Sequence, residues 1–140
     1  MQNEISYAIT RYIQEATGMK TVQIFDGIKL PTEKPFVTVE QLVNASTILT
    51  KRRESISKVY RYQIGLYAKS LSDRSTRQDQ LVRIFHFDEF PLYKNPSQPA
   101  TGSFFVELTN ETPIPADDVA NETEKFRMFF DISVTTVLRK

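Results

Sequence analysis

Two stretches of strict alternation and two of helical spacing organise this chain. In Lys58–Ala68, KVYRYQIGLYA, residues Tyr60, Tyr62, Ile64, Leu66 and Ala68 share one parity, and Arg61, Gln63 and Gly65 take the other. That period of two is what a strand with one face on a core requires. From Lys125 to Leu138, Phe126, Met128, Phe130, Ile132, Val134 and Leu138 again share a parity. A strand of that length would span about 46 Å. The expectation is that a bulge bends it or that part of it pairs outside the domain. Shorter strands are predicted over Thr21 to Phe25, Phe36 to Val43 and Ser103 to Thr109.

Helical spacing appears over residues 3–16, where Ile5, Ala8, Ile9, Tyr12, Ile13 and Ala16 line one face before Gly18 stops the helix. It returns after Ser70-Leu71-Ser72-Asp73, an S-x-x-D start that loosely fits a capping box. There Leu81, Ile84 and Phe85 gather as one buried stripe. Between these elements, 26–35 is a proline-bearing loop. Residues 88–102, with three prolines, read as a loop pinned by Phe90, Leu92 and Tyr93. Thr112-Pro113-Ile114-Pro115 ends the strand before it, and 110–124 reads as a mobile polar loop.

Residues 44–57, NASTILTKRRESIS, have no clear period and read as the long tip of a hairpin. Such an exposed segment in a compact domain is uncommon and is usually functional or disordered. Its apolar pair Ile48-Leu49 suggests a tip covered by another subunit. The predicted order is α-β-β-β-α-β-β. With no repeating βα crossover, the fold class is α+β: a mostly antiparallel sheet with two helices packed on one face, in a single domain of residues 1–140.

Composition narrows the function little. The chain is 40% hydrophobic and 25% charged, with a formal net charge of +1. That balance argues against a strongly nucleic-acid-binding surface and leaves only local patches. Without cysteine there is no disulfide, thiolate metal site or cysteine nucleophile. The N-terminus does not read as a signal peptide, and no run reaches the roughly 20 apolar residues of a membrane helix. Sequons at Asn44, Asn110 and Asn121 mark expected surface loops.

Candidate chemistry is sparse. His86 is the only histidine; pairing it with Ser75 lacks any motif, and its place in a last helical turn suits the helix dipole. Four glycines make no phosphate-cradling loop. Asp117, Asp118, Glu122 and Glu124 do not match an EF-hand spacing and read as a solvated acidic loop. No cofactor or metal is expected. A basic hairpin of Lys51, Arg52, Arg53, Lys58 and Arg61 with Tyr60 and Tyr62 is a weak nucleic-acid signal, since those tyrosines share the core parity.

The distribution of charge says more. Residues 51–61 carry five basic side chains and one acid, whereas 107–124 carry six acids and no Lys or Arg. By composition alone these are two solvated faces. They are also what a head-to-tail interface would need.

The N-terminal amphipathic helix, P-F-V-T-V-E, YRYQIGLYAKSLSDRSTRQDQLVRIF, DEFPLY and the closing FRMFFDISVTTVLR together resemble the tail-completion, or tail-terminator, proteins of siphophages and defective prophages. The resemblance implies a small α+β subunit of a homohexameric ring at the head–tail junction. It implies as partners other copies of the chain, the tail-tube protein and the head connector or stopper. It further implies a virion neck location after synthesis in the bacterial cytoplasm. It implies no enzyme activity, cofactor, membrane or specific nucleic acid. The 44–57 tip and the 115–124 loop map only by position to ring or tube contacts. The expected interface residues are Ile48, Leu49, Lys51, Arg52, Arg53, Asp117, Asp118 and Glu122. A head-completion (connector stopper) protein shares the pattern and is the alternative. A small nucleic-acid-binding module using the 51–61 hairpin is a further one.

Overall fold

The structure is a computed structural model and describes residues 1–25, 28–49, 52, 55–114 and 126–139. Helix α1 (Gln2–Thr17) ends where Gly18 turns into the left-handed region at φ 73°, and the glycine N–H donates to the Gln14 carbonyl. Helix α2 (Leu71–Phe87) starts as its sequence suggests. The Ser70 hydroxyl accepts from the Asp73 N–H at 3.1 Å, while the Asp73 carboxylate reaches back to the Lys69 N–H at 3.0 Å. One first-turn donor and the N–H just ahead of the N-cap are thereby satisfied.

Strands β1 (Lys20–Gln23), β2 (Phe36–Gln41), β3 (Ala45–Ile48), β4 (Ser55–Tyr67), β7 (Glu107–Ile114) and β8 (Arg127–Arg139) form one sheet. Its order is β1-β2-β4-β8-β7, with β3 also pairing β4. Every pairing is antiparallel except that of β1 with β2. Strands β5 (Phe90–Leu92) and β6 (Gly102–Phe104) make a separate antiparallel pair. Both helices pack on one face, where Ile5, Ile9 and Ile13 of α1 and Leu81, Ile84 and Phe85 of α2 join the alternate residues of β4 and β8 in a single cluster. The fold is α+β, and the seven predicted elements appear in the predicted order.

Several local expectations change. The closing strand needs neither a bulge nor an outside partner. It pairs with β4 from Arg127–Tyr67 through to Arg139–Ser55, because β4 begins at Ser55 and is equally long. The bulge lies instead in β7, between Leu108 and Asn110. Residues 45–48 are not tip but strand β3, which continues the path of β2 along β4 after a break at 42–44. In the region read as a loop, Phe90–Leu92 pairs with β6, and the predicted strand 103–109 is divided between β6 and β7. Residues 110–114 are part of β7 and not of a mobile loop. Pro113 is tolerated there because β7 lies at an edge of the sheet, where a missing donor costs no ladder bond. The sequon at Asn110 is also not a loop, while Asn44 lies in the break at 42–44. The Asn44 amide donates to the Gln2 side chain at 3.3 Å, and Asn110 sits in β7 with its amide 3.4 Å from the Asp131 carboxylate.

The other face of the sheet is also covered at one end. Phe36 and Thr38 are buried there, and the Phe36 ring stacks on Tyr67 with centroids 4.5 Å apart. Gly65 sits between them: a Cβ at that position would lie 2.4 Å from the Thr38 hydroxyl oxygen and 3.0 Å from the Phe129 ring.

Candidate assembly surface

The β4–β8 ladder is longer than the helix layer that covers it. Helix α1 begins over Tyr62, whose hydroxyl lies 3.0 Å from the Ser6 hydroxyl and 3.4 Å from the Gln2 carbonyl. Burial raises the Tyr62 pKa above its ordinary value, against the opposing effect of the Ser6 hydrogen bond. The buried face ends one row further on, at Tyr60 and its partner Val134. Beyond that row the ladder continues from Val59–Thr135 to Ser55–Arg139, with β3 alongside. This three-stranded ribbon is roughly 15 Å long at ~3.3 Å per residue. Among the described residues no helix covers it.

The two faces of the ribbon differ. On the helix side, Ile48 pairs with Ile56 in the far row. The next row is Ser46, Lys58 and Thr136, with the Lys58 ammonium 5.0 Å from the centre of the Tyr60 ring. On the outer side every row mixes in hydroxyl residues: Leu49 faces Ser55, and Thr47, Ser57 and Val137 share a row. The outer face then runs into a cleft of about 250 Å³ lined by Leu42, Val59 and Ile132 together with Arg61, Thr109, Asp131 and Ser133.

At the base of the ribbon, where the helix layer stops, lies a cleft of about 450 Å³ lined by Met1, Ile5, Phe104, Phe105, Val134 and Thr136, among others. Met1 is 50% exposed and Phe105 61%. This cleft is two residues along β8 from the Ile48–Ile56 row, on the same face. Between the two lies the polar row of Ser46, Lys58 and Thr136.

Ile48 and Leu49 are 50% and 52% exposed, as a docking role requires, but consecutive strand residues point oppositely, so they serve different faces. Arg52 is exposed near the tip. Lys51, Arg53, Asp117, Asp118 and Glu122 lie outside the described residues, as does Glu124. The basic stretch is not one patch, because Lys58 is on the helix side and Arg61 on the outer side. Ile56, Met1 and Phe105 were not predicted. For Ile56 the signal was present, since it continues the parity of Tyr60 and Tyr62. Met1 and Phe105 come to the ribbon only through tertiary packing.

The other candidates are placed plainly. Ser75 and His86 are both exposed and lie on one helix about 16 Å apart along its axis, too far for a nucleophile–base pair. Tyr60 and Tyr62 are buried, so they offer no stacking platform. Among the described residues no three acidic or histidine side chains converge as a metal site, and no helix is long and apolar enough to cross a membrane. No protein-family model matches the chain, and no curated protein matches it.

Proposed function

We propose that this protein is a structural assembly subunit of a tailed phage or prophage. Copies of it form a ring, a hexamer by the resemblance, at the head–tail junction. The ring ends the tail tube and offers a face to the head connector. The observation that carries this reading is the ribbon: a β-arm with Ile48 and Ile56 on one face, extending past the helix layer in a chain whose phrases resemble the tail-completion proteins. Burying that pair between subunits would supply affinity, and charged side chains at its rim would set register. The mechanism is geometric. Ring closure matches the last layer of the tube, blocks further addition and presents a docking surface.

The test is the mass of the protein by light scattering, alone and mixed with the tail-tube protein of the same phage or prophage. A ring-sized species, alone or on mixing, is expected. A monomer that ignores the tube protein but binds the head connector would instead make it the connector stopper. Binding to DNA that weakens steeply with salt and with Arg52→Ala would point to the nucleic-acid module.

A further inference from the structure

We infer that the β3 edge of a second copy of this chain adds as a strand to the free edge of β8, beside the Met1–Phe105 cleft. This contact rests on the ring reading above and says which edges meet in it. Strand β8 needs no outside partner to hold its length, because β4 pairs with it throughout. Its second edge, however, is paired only as far as Ser133, opposite Glu107 at the start of β7. The phase of the hydrogen bonds shows what that edge presents. The Leu42 N–H donates to the Arg61 carbonyl and the Leu49 N–H to the Ser55 carbonyl. Odd residues of β4 therefore turn their backbone groups towards β2 and β3, and even residues towards β8. Lys58 then bonds to Thr136, which leaves Thr135 and Val137 with N–H and C=O groups turned away from β4. By the same alternation Ala45 and Thr47 bond to β4, and Ser46 and Ile48 turn theirs outward. Among the described residues no backbone group pairs with any of these four outward edges.

An extended backbone is what such an edge accepts. Sheet edges are commonly blunted by charge, proline or a bulge, and β7 carries Pro113 and the bulge at Leu108/Asn110. By contrast, 134–137 (VTTV) and 45–48 (ASTI) hold no charge, no proline and no bulge, and are mostly β-branched. The two bare edges lie on opposite sides of one ribbon, so each copy has one to offer and one to fill. Strands β3 and β8 both run against β4 and so share a direction. Rotation about an axis along the strands keeps that direction. The next copy's β3 would lie parallel to β8, a heterologous contact that can close into a ring. The side chains agree. The cleft is lined by Val134, Thr135 and Thr136 in succession, and consecutive strand residues point to opposite faces, so it opens at the edge itself. Ile48, half exposed on the helix side of β3, would be carried to the helix side of β8, where Met1 and Phe105 line that cleft.

The natural chain has no cysteine, so introduced thiols report cleanly. Full-length Ile48→Cys protein is mixed, under oxidising conditions, with Thr136→Cys protein or with a control, Glu33→Cys, exposed on the 31–35 loop. Circular dichroism checks each fold. A mixed disulfide with Thr136→Cys several-fold above the control is expected. Adding Thr135→Pro to the Thr136→Cys chain should abolish it, because that proline removes an outward N–H and none that bonds to β4. Labelling by a small thiol reagent confirms that the cysteine stays reactive, and Val137→Pro replaces Thr135→Pro if that chain does not fold. A disulfide that survives the proline would show a side-chain contact without strand addition and overturn the proposal. Disulfides only between like chains would show a two-fold contact and also overturn it. No excess over control, with the tube protein shielding Thr136→Cys from the reagent, would give the edge to the tube protein and overturn the second-copy contact. No excess and no shielding, while light scattering still shows rings, would overturn this contact and leave the ring intact. No excess and no assembly, alone or with the tube protein, would overturn both.

Discussion

One pair of strands has two different lives in this molecule. In the body, the helix-side positions of β4 and β8 from Tyr60 to Leu66 and from Met128 to Val134 are almost wholly buried under α1 and α2. In the ribbon, the same two strands keep the same ladder but lose the strict alternation, and Ile48 on the flanking β3 stands half exposed. At the boundary both the cover and the residues change, since the row past Tyr60 and Val134 is Ser46, Lys58 and Thr136. Alternation states which face is apolar, and says nothing about whether the same chain supplies the opposite surface. Where the two disagree, the uncovered length is a candidate for another chain.

The comparison breaks most sharply on large-to-small substitutions. Phe130, fully buried against Phe85 with ring centroids 5.7 Å apart, should lose about 3–5 kcal/mol on change to alanine. Ile48→Ala should shift monomer stability by no more than ~0.5 kcal/mol. Urea denaturation of both variants checks this; equal losses would mean that the ribbon is as integral to the monomer as the body. A smaller effect probes the end of the body buried on both faces. Gly65→Ala drives a Cβ onto the Thr38 hydroxyl and the Phe129 ring and should cost about 1–3 kcal/mol. A neutral result would show that the reverse-face cluster yields easily.

The smallest effect concerns the helix layer itself. The Tyr12 hydroxyl donates to the Asp88 carboxylate at 2.7 Å. That hydrogen bond first, then burial and the carboxylate charge, push the Tyr12 pKa up from 10.0 to about 12. The folded state thus holds its proton where the unfolded chain has lost it. The contribution is complete below pH 10 and disappears as pH rises through about 12. Tyr12→Phe should flatten that alkaline loss of stability, followed by thermal melts across the window. It should leave ribbon-dependent assembly unchanged.

Much of the fold was legible because its signals are local. Leu81, Ile84 and Phe85 mark one helix stripe, Gly18 one stop, and the parities of 60–66 and 128–134 one buried face. The misses have physical causes. Strand β3 was invisible because four residues of mixed polarity on an exposed ribbon have no buried face to impose a period. In the sequence Pro113 reads as a terminator, because an edge position, which excuses it, exists only once strand order is known. The candidate site was half legible. Ile48 could be singled out as apolar in a polar segment, but its separation from Leu49 by face, and its place on the same face as the Met1–Phe105 cleft, depend on register and on where α1 begins.

The unequal cover of β4 also implies an unequal timescale along a single strand. Opening the ladder near Tyr67 must disrupt buried surface on both faces and should require nearly the global unfolding free energy. Near Ser55 it exposes little that water does not already reach, so those amides should exchange through local fraying. The ribbon can then open and re-form many times within the lifetime of one folded body. Its conformation can adjust at a contact while the rest of the subunit keeps its shape.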